Sequence, residues 1–566
     1  MSAMNAATSL ITVDITALSH DGRGIARLAP VEGEGGGTVV FVSHALPGQR
    51  ILARVTRRKA SFIEAEKHEL LRDAPDAAQP ICPHHAECGG CPLQTMPYGQ
   101  QLFWKRTIAI DALCRIGGLE RATAETMMGP VAPSPSPTRF RNKMEFAFGP
   151  DTAHGDKLRL GMRRRSGRDV VAVPGCALMP AEALRMVDLA GELAAKSGFA
   201  AYIPPDTRPG EQAAERTETS FRKQRGRDRG YAQDRRTSNH YYTPGHNSAD
   251  HGFWRFFVLR RGLAADLRTP RWWALCITSP GDEQQRGTVR AMGRELLAAF
   301  PQIAAFVHEE RATADTFAFG EKRVQTLDAT GTENPAAARL FQPLNGTFFA
   351  LDAASFFQVN TGAAQVLART ACDMLTDADT DDASQRGLLD LYCGAGAPGL
   401  LLAPDYTALL GLEQDAKAVK LARINAVSQG QRHCRYEAGD AALLLERLAD
   451  CDSDALWTTI LAAGQNVQDG NDTDAFQQDD GNHPAVSYPT ATDALVDPPR
   501  AGLSPRALDA LLRIAPKRIL YISCNPSTQA RDAARIRKNY RLKALAAVDL
   551  FPHTPHLECV SLWHKD

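Results

Sequence analysis

The sequence predicts an α/β protein built on a doubly wound parallel sheet, preceded by a small N-terminal β-barrel and a strand-rich central α+β region. Three observations carry this. From about residue 385 onward, short apolar strands alternate with helical patterns, the rhythm of a parallel sheet with helices on both faces. Residues 10 to 70 hold short strands divided by Gly-rich turns, the pattern of a small barrel. The 566 residues are 44% hydrophobic and 23% charged, a globular balance that excludes collagen-like, coiled-coil and wholly disordered chains. At about 150 residues per domain the length suggests roughly three to four domains.

In chain order, the barrel strands are expected at Leu10 to Ile15, Thr38 to Val42, Arg50 to Thr56 and Phe62 to Glu66, with Gly22-Arg23-Gly24 and Gly35-Gly36-Gly37 as turns. A cysteine cluster, Cys82 to Cys91, and an amphipathic stretch from about Tyr98 to Ile116 follow. Strands are expected at Arg139 to Phe148 and Leu158 to Arg164. Polar stretches at about 204–250 and 464–488 read as surface insertions. In the C-terminal part the strands are Leu388 to Tyr392, Tyr406 to Leu412, Ala494 to Val496 and Arg518 to Ser523, with helices at Asp415 to Val427 and Ser504 to Ile514. The runs Leu542 to Leu550 and Leu557 to Trp563 are joined by a loop too short for a crossover helix, so they are expected to pair as an antiparallel hairpin.

Charge and targeting signals narrow the function classes. Lys+Arg and Asp+Glu both count 65, so nucleic-acid affinity must come from local patches such as Arg57, Arg58 and Lys59, or Arg163, Arg164, Arg165 and Arg168. No apolar run approaches the ~18 residues that span a bilayer, and the N-terminal residues do not read as a secretory leader, so a cytoplasmic location without a membrane partner is expected. Twelve cysteines spread along so long a chain favour metal or catalytic roles over a disulfide framework.

The segment Asp390-Leu-Tyr-Cys-Gly394-Ala-Gly396-Ala-Pro-Gly399 directly follows a strand, where glycines let the backbone turn tightly and approach a ligand. Glu413 ends the next strand, placed to accept ribose hydroxyls. A nicotinamide enzyme shares such a fingerprint. The Asp four residues ahead of the first glycine, and the acidic motif Asp497-Pro-Pro-Arg500 at the end of a later strand, favour S-adenosylmethionine (SAM) instead. Ligands of doubly wound sheets bind beyond the carboxyl ends of the strands, so these groups converge on one crevice.

Ser523-Cys524-Asn525-Pro526 puts a cysteine at the end of an apolar strand on that same side. A strand-end cysteine is ordinarily a buried small hydrophobe. Asp-Pro-Pro also occurs in enzymes that methylate exocyclic amines, but those follow it with an aromatic residue, where this chain has Arg500, and they need no thiol. Carbon 5 of uracil is too weak a nucleophile to take a methyl group directly. Thiolate addition at carbon 6 makes it an enolate, and a base must then remove the carbon 5 proton so that the thiolate can leave. Glu558, in the final hairpin, is the candidate base.

Together, Cys82-x5-Cys88-Gly-Gly-Cys91-Pro, Phe140-Arg-Asn-Lys143, Ser355-Phe-Phe-Gln358-Val-Asn360, the glycine loop, Asp497-Pro-Pro-Arg500, Ser523-Cys524-Asn-Pro526 and His556-Leu-Glu558 resemble the RNA uracil-5 methyltransferase family. The chain is most similar to the bacterial 23S rRNA enzymes that carry a TRAM barrel, which is OB-like, and a [4Fe-4S] cluster. The resemblance implies a Rossmann-like class I SAM methyltransferase domain, Cys524 as nucleophile and Glu558 as general base. It also implies SAM contacts from Gln358, Tyr392, Glu413, Asp440 and Asp497, and RNA contacts from Arg141 and Lys143. One departure stands out: Ala397-Pro398 replaces the family's Asn-Phe, so a polar contact to SAM at 397 is lost.

Cys82, Cys88 and Cys91 supply three thiolates, and Cys176 matches the family's fourth position. The spacing fits neither paired C-x2-C zinc sites nor a common ferredoxin run, leaving zinc open; the resemblance favours iron and sulfur, in a structural and RNA-positioning role. The expected organisation is a barrel at 1–75, a central iron–sulfur and RNA-binding region at 76–375 and a methyltransferase domain at 376–566, in a monomer acting on a flipped-out or single-stranded uridine of 23S rRNA. The rivals are the related tRNA enzyme, which as a rule lacks barrel and cluster, and a non-catalytic iron–sulfur RNA-binding protein.

Overall fold

Alternation of apolar and polar residues with a period of two builds the first unit. In Val39–Ser43 the side chains of Val40 and Val42 point inward, and in Arg50–Arg58 those of Ile51 and Ala53 do. They meet Val13, Ala26, Ile63 and Ala65 in one apolar core. The computed structural model describes residues 9–29, 37–151, 155, 157–165, 169–204, 252–335, 339–353, 355–376, 386–450 and 491–566. Both predicted insertions lie largely outside the described residues, as does Arg168. The barrel sheet has six strands, and register shifts between Arg50–Arg58 and Phe62–Arg72 bend it. Phe62–Arg72 outruns its expected end at Glu66 because Lys67 to Arg72 continue the ladder onto Arg50 to Ala53.

The central region is a nine-stranded mixed sheet. Its parallel pair, Pro270–Thr278 with Ile303–Glu310, is joined by helix Glu283–Ala299, which opens on a capping box at Asp282 and Gln285. The strand expected from Arg139 begins only at Lys143. Arg139 takes a left-handed φ of 52°, and the peptides of Arg139, Arg141 and Asn142 donate to Ala177, Leu178 and Val359 instead of to a sheet neighbour.

The C-terminal sheet has seven strands: β1 (Arg386–Leu391), β2 (Ala408–Glu413), β3 (Cys434–Ala438), β4 (Ala491–Val496), β5 (Arg518–Ser523), β6 (Tyr540–Val548) and β7 (Glu558–Lys565). Their order is β3-β2-β1-β4-β5-β7-β6. β1 to β5 are parallel, and β7 runs antiparallel between β5 and β6, as the short loop between the last two runs demanded. The strands are buried on both faces, so they read as unbroken apolar runs. The order reverses at β1 and β4, and a doubly wound sheet opens its ligand crevice at that switch point. At the opposite end, Arg518 donates to Asp493 at 2.6 Å and to Leu375 O at 2.7 Å, with Tyr406 donating to Asp493 at 3.0 Å. Among the described residues no helix is long and apolar enough to cross a membrane.

Candidate active site

The glycine loop leaves β1 at Tyr392, which holds a left-handed φ of 62°, a strained setting for a residue with a Cβ. Gly394 and Gly396 follow at φ 54° and 81°, where glycine is free of that strain. The peptides of Tyr392 and Cys393 donate to Leu412 O, and Gly394 N–H donates to Glu413 Oε2 at 3.1 Å. The other Glu413 oxygen accepts from Asp415 N–H at 2.9 Å, so this carboxylate already sits on the rim of the loop. Ala397 and Pro398 open helix Ala397–Leu402, and a proline in a first turn forfeits no intrahelical bond. Gly399 lies over Asp390: a Cβ there would come 2.2 Å from Asp390 Oδ2.

Asp390 is fully buried and its oxygens lack a well-aligned hydrogen-bond partner. Burial, with the nearby Asp497 carboxylate, pushes its proton affinity up to about 8 despite the Gly399 N–H. Asp497 follows β4 and is itself raised by burial to about 7. Tyr392 feels burial first and then Asp440, Asp532 and Glu413, and is raised to about 12. Asp440 is exposed and caps helix Ala441–Ala449 by accepting from Leu443 N–H at 3.0 Å. Gln358 is held through its backbone, its carbonyl accepting from Asn142 Nδ2 at 3.0 Å. Buried Arg260 grips its loop, donating to the carbonyls of Asp352 and Ser355. Among the described residues the Gln358 side chain makes no hydrogen bond.

Cys524 follows β5 and is half-buried, just before helix Pro526–Ile536, whose cap is Asn525. Burial, then the Glu558 carboxyl and Asp497, raise its thiol to about 11, and the Arg500 guanidinium opposes them. Glu558 begins β7, one strand over: Ser523 pairs with Cys559 and Val548 with Glu558. It is 3% exposed, and burial plus Asp497 hold its carboxyl far above the usual carboxylate range. Arg500 donates toward His556 Nε2 at 3.3 Å. Burial and Arg500 lower His556 to about 4, which keeps the ring neutral. The predicted nucleophile, base and acidic motif thus share one electrostatic neighbourhood, which runs through Asp497 and Asp390 to Glu413.

The cysteine segment is docked on the central sheet. Cys88 bridges to Arg164, Gly89 N–H donates to Arg163 O at 3.3 Å, and Gly175 N–H meets His84 Nε2 at 3.1 Å, one residue before Cys176. Arg164 pairs with Glu87 and Arg165 donates to His85 O, so these two arginines brace the segment. Burial raises the thiols of Cys88, Cys91 and Cys176, and the thiols raise one another. Among the described residues no three His, Cys, Asp or Glu side chains are gathered closely enough to hold a single metal ion.

Residues 482–566 match the tRNA (uracil-5-)-methyltransferase family model, and residues 9–67 match the TRAM domain. A protein of Nitratidesulfovibrio vulgaris named as an RNA methyltransferase is 32% identical over 556 residues, 98% of this chain and 96% of its own. The chain belongs to the RNA uracil-5 methyltransferase family. An RNA methyltransferase of Geobacter sulfurreducens is 27% identical, over 98% of this chain and 90% of its own. Among solved structures, the Pyrococcus abyssi tRNA (uracil-54, C5)-methyltransferase in complex with S-adenosyl-L-homocysteine aligns with a TM-score of 0.59 at 20% identity, over 98% of this chain and 100% of that one. The likeness extends the shared fold to the barrel and central region.

Proposed function

We propose that the chain methylates carbon 5 of a specific uridine in 23S rRNA, drawing on SAM, with Cys524 as nucleophile and Glu558 as general base. The observation that carries this reading is a thiol at the end of one strand and a buried carboxyl at the start of its neighbour, electrostatically linked to each other and to Asp497. The loop fits SAM: a Cβ on Gly394 would meet open space while Gly396 supplies the tight turn, Glu413 stands at the rim for the ribose, Asp440 lies beyond β3, and Tyr392 and Asp497 follow the two strands that flank the crevice, with Gln358 as a further contact. SAM supplies a methyl group made electrophilic by its sulfonium.

The chain's own groups do the rest. The Cys524 thiolate bonds to carbon 6, and the electron pair of the ring double bond moves out to the carbonyl oxygen as an enolate, which lets carbon 5 accept the methyl. Arg500, a cation beside the sulfur, favours its ionised form. The Glu558 carboxylate then takes the carbon 5 proton, that C–H pair becomes the ring double bond, and the carbon–sulfur bond breaks to return the thiolate. Burial makes Glu558 a stronger base than a solvated carboxylate. Phe356, 74% exposed and two residues before Gln358, offers a face on which an unstacked base can lie.

Cys82, Cys88, Cys91 and Cys176 suit a [4Fe-4S] cluster, which carries its own sulfides and spreads its thiolates wider than one zinc does; its role would be to brace the RNA-facing region. We place the unit boundaries near 75 and 375, and the protein in the cytoplasm as a monomer. RNA carrying 5-fluorouracil tests the chemistry, because fluorine cannot leave as a proton does. Incubated with SAM it should yield a denaturation-resistant adduct that Cys524→Ala abolishes; no adduct from the intact protein would favour a binding protein without catalysis. A tRNA substrate is the second reading, favoured by the full-length likeness to the tRNA uracil-54 enzyme. Mapping 5-methyluridine in 23S rRNA and tRNA from cells with and without the gene decides between them.

A further inference from the structure

The loop between β6 and β7, residues 549–557, ends on the residue before Glu558 and is anchored to parts of the chain far away in sequence. Lys105, from helix Tyr98–Arg115, is completely buried; its ammonium donates to Asp549 Oδ1 at 2.6 Å and to Phe551 O at 3.0 Å. Tyr98, two turns earlier on the same helix face, donates its hydroxyl to Asp549 Oδ2 at 2.9 Å and accepts from Ser134 N–H at 2.9 Å. Gln101 of the same helix accepts from His553 N–H at 2.9 Å and donates to the carbonyls of Leu93 and Met96. Leu93, two residues after Cys91, donates its peptide N–H to His553 O at 3.0 Å. Pro555 packs on the barrel turn, where a Cβ on Gly22 would come within 2.9 Å of it.

A buried ion pair is a poor means of gaining stability, since apolar residues of the same volume often do as well or better. What it supplies is one permitted geometry, with both Asp549 oxygens and the ammonium directionally bonded. Here that geometry is imposed on the loop that launches the catalytic carboxyl, and the helix imposing it emerges directly from the cysteine segment. The loop also takes a left-handed φ of 67° at His553, a conformation that needs such restraint.

We propose that Lys105, with Tyr98 and Asp549, is a positioning unit that fixes the aim of Glu558 and so governs release of the methylated RNA from Cys524, tying that step to the cysteine segment. The unit acts on the second half of the reaction: with Glu558 displaced, the thiolate still adds to carbon 6 and carbon 5 is still methylated. The carbon 5 proton then stays on, and the carbon–sulfur bond cannot break. This inference rests on the roles proposed above for Cys524 and Glu558.

The test uses the full-length protein, methyl-labelled SAM and uracil-containing RNA from cells lacking the gene. Lys105→Met and the milder Tyr98→Phe are compared with the unaltered protein for labelled free RNA and for labelled, denaturation-resistant protein–RNA complex. We expect turnover to fall by about tenfold or more in Lys105→Met, part of the ~10²–10⁴ that a placed general base contributes, while the labelled complex rises. Tyr98→Phe should shift the same ratio less. If complex and turnover fall together in proportion to the folded fraction, or if the ratio is unchanged in both variants, the inference is overturned; should Lys105→Met not fold, Tyr98→Phe alone decides. Failure of the underlying reading looks different: the unaltered protein would then form no Cys524-dependent adduct with 5-fluorouracil RNA.

Discussion

The protonation of Cys524 in the free enzyme can be measured directly. Burial and the Glu558 carboxyl raise it from the ordinary thiol value of 9.0 to about 11. Alkylation by iodoacetamide follows the thiolate, so its rate climbs until the pH reaches the thiol's own value. For a thiol at about 11 the thiolate fraction grows about ninetyfold between pH 8 and pH 10, against about tenfold for one at 9. The rate at Cys524 is read from the peptide that contains it by mass spectrometry, which separates it from the other cysteines. Arg500→Ala removes the cation that opposes the rise, so the thiol moves higher and reacts more slowly at every pH below 10. Glu558→Gln removes a carboxylate that raises it, so the same peptide reacts faster. A rate that levels off by pH 9, or an acceleration in Arg500→Ala, would refute the placement of these three groups around one sulfur.

Glu558→Gln, with labelled SAM and natural RNA, should leave methylated RNA bonded to Cys524 and cut turnover by about 10²–10⁴. Gly399→Ala forces a methyl group against Asp390 Oδ2; SAM binding by calorimetry should weaken by about tenfold or more, as the loop shifts by more than a buried site tolerates. Arg518→Met takes the nearest cation from buried Asp493, which keeps the Tyr406 hydroxyl and the more distant Arg386, and its urea midpoint should show a loss of about 1–3 kcal/mol with the slope unchanged. Anaerobically purified protein should absorb broadly in the visible and contain iron, and Cys176→Ser should lower both; a colourless protein with stoichiometric zinc would refute the cluster.

Much of this was legible in the residues because the local rules agree with one another. Arg518 to Ser523 reads as a buried strand, and Asn525 and Pro526 as the start of a helix, so the location of Cys524 followed from the residues on either side of it. The final hairpin was forced by a loop too short for any other connection. What escaped were groups whose meaning depends on contacts distant in sequence. Lys105 and Asp549 are separated by 444 positions, and a lysine on an amphipathic helix reads as solvated until its partner is seen. Arg260 is another such residue: nothing in its strand, which carries Arg255, Arg260 and Arg261, marks it as the one that holds the Gln358 loop. Arg164 and Arg165 read in the sequence as part of a candidate phosphate-binding patch; the structure adds a second task, bracing the cysteine segment through Glu87 and the His85 carbonyl.

The ladder between β5 and β7 sets the backbone spacing of sulfur and carboxyl through paired peptides of a single sheet. Neither group belongs to the barrel or the central region. Outside helix Tyr98–Arg115 and the Gly22 turn, which bear on the loop before Glu558, those outer parts can diverge toward one RNA or another without respacing the reacting atoms. A change of target nucleotide in this lineage needs new surfaces around an old reaction centre, and chimaeras that exchange residues 9–67 should alter which RNA is chosen while leaving the bond-making core intact.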